Sequence, residues 1–518
     1  MSSQSIGELL RRTAKRYPTK PGIRCGAVEW SYAEFDMLCD RLAAGLHHNG
    51  IVKGSRVAVL ARNSHAFAAL RFALARLGAV IVPINLMLNA EEVAYILRHS
   101  QVRTLAADGA LMALGRRAAA LDTLVEQYIS LPSEMLPEPE GDALSFAQLA
   151  ATVGAARAVD VAGSDLAQII YTSGTESLPK GAMLTHEAIV WQYVTCIVDG
   201  EIASGDLILH SLPLYHCAQL DCFLGPGVYL GATNVITSAP TPDNLLTLLE
   251  QHRVTSFFAP PTVWISLLRS PRFDQTDLSS LHKGYYGASI MPVEVLREMQ
   301  RRLPQVRLWN FYGQTEIAPL AAVLKPEDQQ RKPGSIGMPA LNVETRVVDD
   351  LMRDVAPGEV GEIVHRSPQL LSGYLNDPER TAAAFEGSWF HSGDLAIVDD
   401  EGYMSVVDRK KDMIKTGGEN VASREVEEVI YGLPQVYEVA VIGLPHPRWV
   451  EAVMAVIVIK EGQTLSADDV VAFCSKRMAS FKVPKGVAFV QALPKSPSGK
   501  LLKRELRKQF EEGPPFPA

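Results

Sequence analysis

The 518-residue chain has no apolar run long enough to cross a bilayer. Its longest apolar stretch, near Phe257–Leu268, is broken by Pro260 and Pro261, whereas a spanning helix needs about 20 apolar residues. The N-terminal segment MSSQSIGELLRRTAKRYP lacks the apolar core of a secretory signal, so a soluble, cytoplasmic protein is expected. The six cysteines, at 25, 39, 196, 217, 222 and 474, form no CxxC pair and no zinc-site spacing with histidine. Cys217 and Cys222 beside His216 give only a weak metal signal. All six read as small buried hydrophobes in a reducing compartment. An excess of basic charge is also missing. The formal net charge of −8 argues against a general nucleic-acid binder or a polybasic membrane binder. No internal repeat is present, and low complexity is confined to the Pro-rich end, residues 513–518.

What is present is the composition of an ordinary globular protein, 47% apolar and 21% charged, long enough for about three or four compact units. Val57–Leu60 reads as a buried strand, Ser64–Leu77 as a helix stopped by Gly78, and Val80–Val82 as a second strand. Strand, helix and strand in that order indicate a parallel sheet with covering helices. Ala167–Tyr171, Leu207–Ser211, Asn234–Thr237, Thr255–Ala259 and Arg307–Phe311 repeat the grammar. Ligands of open α/β sheets sit beyond the carboxyl ends of the strands, so the loops after Tyr171, Ser211, Tyr286 and Phe311 are the places to look for chemistry. From about Leu341 the strands Val343–Asp349, Val360–Arg366 and Tyr403–Val407 alternate with turns and predict a β subdomain. After Asp408 comes a mixed tail. Ser423 is placed to cap a helix presenting Val426, Val429 and Ile430, with Gly432 as its stop. Ser466 and Asp469 start another.

Charge changes at the same boundary. Residues 409–518 hold 17 Lys/Arg and 13 Asp/Glu, a balance of +4, which leaves 33 against 45, or −12, for the rest. A basic small domain opposite an acidic large one suits a polyanionic ligand, and a solvated charged surface accounts for it equally well. Residues 171–181, Tyr-Thr-Ser-Gly-Thr-Glu-Ser-Leu-Pro-Lys-Gly, follow a predicted strand. Hydroxyls at Thr172, Ser173 and Thr175 surround Gly174, and Lys180 follows, a set that answers phosphate oxygens. The Walker spacing fails at Pro179.

This loop resembles the phosphate-binding loop of the adenylate-forming superfamily, which includes acyl-CoA synthetases, carrier-protein-loading adenylation domains and firefly-type luciferases. Six further motifs follow in that family's order: Pro213–His216, Tyr286–Ser289, Asn310–Glu316, Ser392–Leu395, Asp408–Lys415 with Gly417–Asn420, and Pro497–Lys500. The resemblance covers the chain from about Trp30 to Leu506. It implies a large α/β domain over residues 1–407, made of two sheet subdomains and a β subdomain. It also implies a hinge at Asp408 and a small mobile α+β domain over 409–518.

The implied reaction has two steps. A carboxylate attacks the α-phosphorus of ATP, and the thiol of coenzyme A then attacks the resulting acyl-AMP. The resemblance gives Glu316 to Mg²⁺ and Thr315 to a phosphate. It places Tyr312 and Gly313 against adenine, with Gly287, Ala288 and Ser289 covering the other side. Asp394 receives the ribose hydroxyls with Arg409 nearby, and Lys500 bridges the substrate carboxylate and the α-phosphate. Rotation about Asp408 then exchanges Lys500 for the loop carrying Lys415, where Gly417 and Gly418 let pantetheine pass. His216 gates the acyl pocket. The partners expected are a small carboxylic acid and CoA, with no nucleic acid. A carrier protein as acceptor and a homodimer both stay open.

One departure stands out. Many members of the family have Thr-Gly where this chain has Glu176-Ser177. Two charges about 4 Å apart repel by roughly 1–4 kcal/mol, so Glu176 weakens the hold on pyrophosphate unless it points away or joins the metal shell. Two alternatives follow: an enzyme that only thioesterifies preformed acyl-AMP, and a non-catalytic acyl-nucleotide binder. The small residues Gly225, Gly227, Gly231, Ala288 and Ser289 predict a roomy, mostly apolar pocket for a bulky hydrophobic acid.

Overall fold

In the strand Arg56–Leu60, Val57 and Val59 face one way and Ala58 and Leu60 the other. The first pair packs among the helices Ile6–Arg16, Tyr32–His48 and His65–Leu77, the second against Ala90–His99 and Met112–Ala119. This period-two alternation, apolar on both sides, is what a parallel strand covered by helices on both faces requires. The computed structural model describes residues 4–138, 141–153, 159–172, 179–288, 291–410, 412–416, 419–495 and 501–511. By internal packing the chain forms two units. One is Met1–Pro333 with Gly337–Glu344 and Arg366–Phe390; the other is Gly334–Ile336 with Thr345–His365 and His391–Ala518.

The first unit holds, among the described residues, an eight-stranded and a nine-stranded sheet. Helices between them share one core with both, since Val57, Ile81 and Ala167 of one sheet cluster with Ile23 and Ile236 of the other. The helices Pro242–Gln251, Pro261–Arg269 and Val293–Arg302 cover the outer face of the nine-stranded sheet. Local chemistry agrees with this layering. Ser64 caps the helix His65–Leu77 by accepting from Phe67 N–H, and Gly78 ends it at φ +66°. The strands Leu207–His210, Ser256–Phe258, Lys283–Gly287 and Arg307–Gly313 run parallel. Their carboxyl ends therefore open on one edge, where the expected motifs begin.

The second unit contains a four-stranded sheet, Glu344–Val348, Val360–Arg366, Phe390–Val398 and Met404–Arg409, and a five-stranded sheet further along the chain. In the five-stranded sheet Val439, Val441, Val453 and Ala455 face the helices Ser423–Tyr431 and Ala467–Ser475. Ala440, Ile442, Met454 and Val456 face Leu506 of the helix Lys503–Glu511. The expected α/β class, with two sheet subdomains, a β subdomain and an α+β tail, is the observed one. By packing the β subdomain groups with the tail.

One cap differs from its expectation. Ser423 is the first residue of its helix and makes no side-chain cap. Instead Asp408 Oδ2 accepts from both Ser423 N–H and Ser423 Oγ–H at 2.7 Å, fifteen residues away in sequence. The carboxylate thus performs the capping from outside the helix. Ser423 Oγ also accepts from Lys503 Nζ, which pairs with Glu427 at 2.8 Å; both side chains are 16% exposed. Burial alone would lower the Lys503 pKa, but Glu427 and Asp408 raise it on balance. Replacing one member of such a pair leaves a buried charge unanswered. Lys503→Met is expected to destabilise this unit by about 3 kcal/mol, and adding Glu427→Leu to recover most of that loss, as read from urea unfolding. An equal or greater loss in the double variant would show that the pair itself is the stabilising element.

Candidate active site

The strands that flank the predicted phosphate loop are antiparallel. Leu166–Thr172 pairs with Lys180–Thr185, and Thr172 opposite Lys180 is the last rung. Ser173, Gly174 and Thr175, with Glu176 and Ser177, lie outside the described residues, as do Ser289, Gly417, Gly418 and Lys500. Lys180 is half-buried, and its ammonium stands over the Tyr374 ring, 5.0 Å from the centroid.

A second loop sits between Arg307–Gly313 and Leu320–Leu324, which are antiparallel. Gly313 is required where the loop closes: a Cβ there would lie 1.7 Å from Pro319 O. Gln314 N–H donates to that same carbonyl at 2.9 Å. The loop's single turn carries Thr315 and Glu316, 8% and 9% exposed. It is braced from behind by two buried amides. Gln192 Oε1 accepts from Leu320 N–H and from Gln369 Nε2, and Gln369 Nε2 also donates to the Leu320 carbonyl. Leu371 N–H donates to the Glu316 carbonyl at 2.8 Å.

The Glu316 carboxylate accepts a hydrogen bond from Tyr374 Oη at 3.0 Å. Burial and the neighbouring carboxylate hold the Tyr374 pKa well above that of an ordinary phenol, so its hydroxyl stays a donor. Among the described residues no Lys, Arg or His side chain forms an ion pair with Glu316. A buried carboxylate without a cation fits a hard divalent ion, which takes one or two carboxylates together with phosphate oxygens.

Thr315 leads to the third motif. Its Oγ1 lies 3.3 Å from Cys217 Sγ, a fully buried thiol whose pKa burial pushes up. His216, half-buried, accepts from Ala218 N–H through Nδ1, which puts the proton of the neutral ring on Nε2. His216, Thr315, Glu316 and Lys180 are thereby joined through Cys217 and Tyr374. Tyr312 is half-buried at the strand end beside Gly313. Tyr286 turns its hydroxyl into the core, donating to Gln329 Oε1 at 2.8 Å, which leaves Gly287 and Ala288, among the described residues of this motif, at the carboxyl end of the strand. Ala288 takes φ +63°, left-handed backbone uncommon without glycine.

In the second unit Asp394 lies opposite Arg409 on adjacent strands, with Arg409 Nε 3.1 Å from Asp394 Oδ1. Leu395 pairs with Asp408 next to them, and a bulge lies between Leu395 and Ala396, where Ala396 pairs with Val406. Lys415 is exposed on Ile414–Thr416, opposite Asn420. All six cysteines are buried and unpaired, as their sequence context implied.

The roomy pocket is corrected in one respect. A Cβ on Gly225 would meet Tyr193 Cζ at 2.1 Å, on Gly227 Asn234 Oδ1 at 2.6 Å, and on Gly231 Tyr17 Cδ2 at 2.4 Å. These glycines admit neighbouring side chains, not substrate. Sequence reasoning missed Tyr374, Gln192 and Gln369, whose partners are distant in the chain.

A family model described as AMP-binding enzyme matches residues 10–375, and one described as AMP-binding enzyme C-terminal domain matches 425–500. A feruloyl-CoA synthase of an Amycolatopsis species is 37% identical, covering 98% of this chain and all of its own. An indoleacetate–CoA ligase of Aromatoleum aromaticum is 36% identical, covering 97% of each. The crystal structure of the anthranilate CoA ligase AuaEII in complex with anthranoyl-AMP superposes with a TM-score of 0.89 at 26% identity, over 98% of this chain and 97% of that one. Among the described residues no helix is long and apolar enough to cross a membrane.

Gly225→Ala is expected to cost about 1–3 kcal/mol of stability through overpacking against Tyr193, measured by thermal unfolding. An unchanged midpoint would restore the glycine as pocket space.

Proposed function

The chain belongs to the AMP-binding enzyme family and is an acyl-CoA ligase, and we propose that it acts on a hydrophobic, ring-bearing carboxylic acid by way of an acyl-adenylate. The observation that carries the route is Glu316, a buried carboxylate with no cation partner among the described residues, beside Thr315. Mg²⁺ would be held by Glu316 and, when bound, supplies positive charge against phosphate oxygens. Thr172, Ser173, Gly174, Thr175, Lys180 and Thr315 receive those oxygens. Tyr312 and Gly313 on one side, and Gly287, Ala288 and Ser289 on the other, hold adenine. Asp394 takes the ribose hydroxyls, with Arg409 orienting it.

In the first step an oxygen of the acid attacks the α-phosphorus, and the bond to the bridging oxygen breaks to release pyrophosphate. Lys500 answers the charge that gathers between the acid and the α-phosphate. Residues 409–518 then turn about Asp408 and bring Lys415, Gly417 and Gly418 to the thiol. The thiolate attacks the acyl carbon, the carbon–oxygen bond to AMP breaks, and AMP leaves. His216 stands at the acyl end. The substrate class rests on the names of the relatives, which join ferulate, indoleacetate and anthranilate to CoA.

Glu176 and Ser177 favour a second reading, in which the enzyme accepts only preformed acyl-AMP. Two assays separate the readings: ATP–pyrophosphate exchange across a panel of acids, and thioester formation from the matching synthetic acyl-AMP. The first reading expects exchange with aryl acids well above that with acetate. Exchange absent with every acid, beside robust thioester formation, would establish the second. Comparing CoA with a phosphopantetheinyl carrier protein fixes the acceptor. Lys500→Ala is expected to slow exchange by about 10²-fold or more while thioester formation from acyl-AMP stays within about threefold. Equal losses in both assays would remove Lys500 from the first step.

A further inference from the structure

We propose that Tyr374 is a positioning residue for nucleotide activation, a wedge that keeps Lys180 and Glu316 apart while orienting the carboxylate. This rests on the reading of Glu316 as the metal-holding group. No role for Tyr374 follows from the motifs that identify the family in this chain.

Its backbone is fixed to both loops it serves. Gly373 and Tyr374 pair with Met183 and Ala182, on the strand that begins at Lys180. Ser372 N–H and Leu375 N–H donate to the Met183 and Gly181 carbonyls, and Leu371 N–H to the Glu316 carbonyl. Tyr374 N–H donates to Thr381 Oγ1 at 2.9 Å. The side chain is 7% exposed. Its two ends then do different things: the hydroxyl donates to Glu316 Oε1 at 3.0 Å, and the ring face receives the Lys180 ammonium.

The chemistry of each contact sets the consequence. A phenol occupying one lone pair of Oε1 fixes the rotation of the carboxylate and leaves its remaining lone pairs for a cation. The ring's negative face holds an ammonium without neutralising it. Lys180 and Glu316 form no direct ion pair, although both contact the same ring. With the ring removed, a half-buried lysine and a buried carboxylate on neighbouring loops would collapse onto each other. Each would then be lost to the metal nucleotide, since attraction between opposite charges grows as water is excluded.

Two variants separate the two ends of the side chain. Tyr374→Phe keeps the wedge and removes the hydroxyl; Tyr374→Leu removes both. The primary readout is equilibrium binding of ATP with and without Mn²⁺, with bound Mn²⁺ followed by electron paramagnetic resonance. Mg²⁺ dependence of ATP–pyrophosphate exchange and thermal unfolding are followed alongside. Tyr374→Phe is expected to weaken Mn²⁺–ATP binding by about tenfold, raise the Mg²⁺ needed for half-maximal exchange similarly, and leave metal-free ATP binding and the unfolding midpoint unchanged. Tyr374→Leu is expected to weaken metal-free ATP binding as well. Mn²⁺–ATP affinity unchanged in Tyr374→Phe overturns the proposal while leaving the role of Glu316 intact. So does equal weakening with and without metal, which is the mark of a merely structural tyrosine. A wild-type enzyme that binds ATP equally with and without Mn²⁺ overturns the metal role of Glu316, and this inference with it.

Discussion

A carboxylate below the protein surface stays charged only where something answers it. At Glu316 the protein itself supplies one phenolic hydrogen bond and, among the described residues, no cation. Much of the surrounding architecture keeps that arrangement in place. Gly313 allows the loop to close on Pro319, the Gln192–Gln369 amides brace it from behind, and Leu371 ties its backbone to the strand that carries Tyr374. Charge is also kept apart nearby: Lys180 rests on an aromatic face, and His216 spends Nδ1 on a backbone N–H. On the proposed reading, such a site gains its missing positive charge from a metal nucleotide.

The second unit is organised around a different set of charges. Asp394 and Arg409 face each other across two strands, Leu395 pairs with Asp408 beside them, and a bulge follows at Ala396, next to the residue about which rotation is proposed. Asp408 in turn holds the first turn of the helix Ser423–Tyr431, and Lys503 and Glu427 bury an ion pair beside it. A hinge needs a firm body on its moving side. The Asp408–Ser423–Lys503–Glu427 network contributes to one, together with the apolar core in which Val426 and Ile430 of the same helix pack.

Much of this was legible in the sequence because it is local. The helix His65–Leu77 announces itself through Ser64, its apolar face and Gly78, and the strand ends mark the edge where the motifs gather. Motif order identified the family, since each motif is a short run whose chemistry is complete within a few residues. What escaped notice depends on distance in the chain. Asp408 caps a helix fifteen residues later, so the nearby Ser423 looked like the cap. Tyr374 meets Glu316 across 58 residues, and Gln369 meets Gln192 across 177, with no periodicity to connect them. Gly225, Gly227 and Gly231 were misread for a related reason. A glycine shows that a Cβ is not tolerated, but only the fold shows whether a ligand or a neighbour such as Tyr193 fills the space.

In the proposed reaction an oxygen of the acid becomes bonded to the α-phosphorus of ATP before sulfur takes the acyl group. Running the reaction to completion with an aryl acid labelled in its carboxylate with ¹⁸O, and weighing the products by mass spectrometry, tests that bond itself. One ¹⁸O atom in AMP and none in pyrophosphate is the expected result. Label in pyrophosphate, or thioester formed from ATP and acid with no label in AMP, would contradict it.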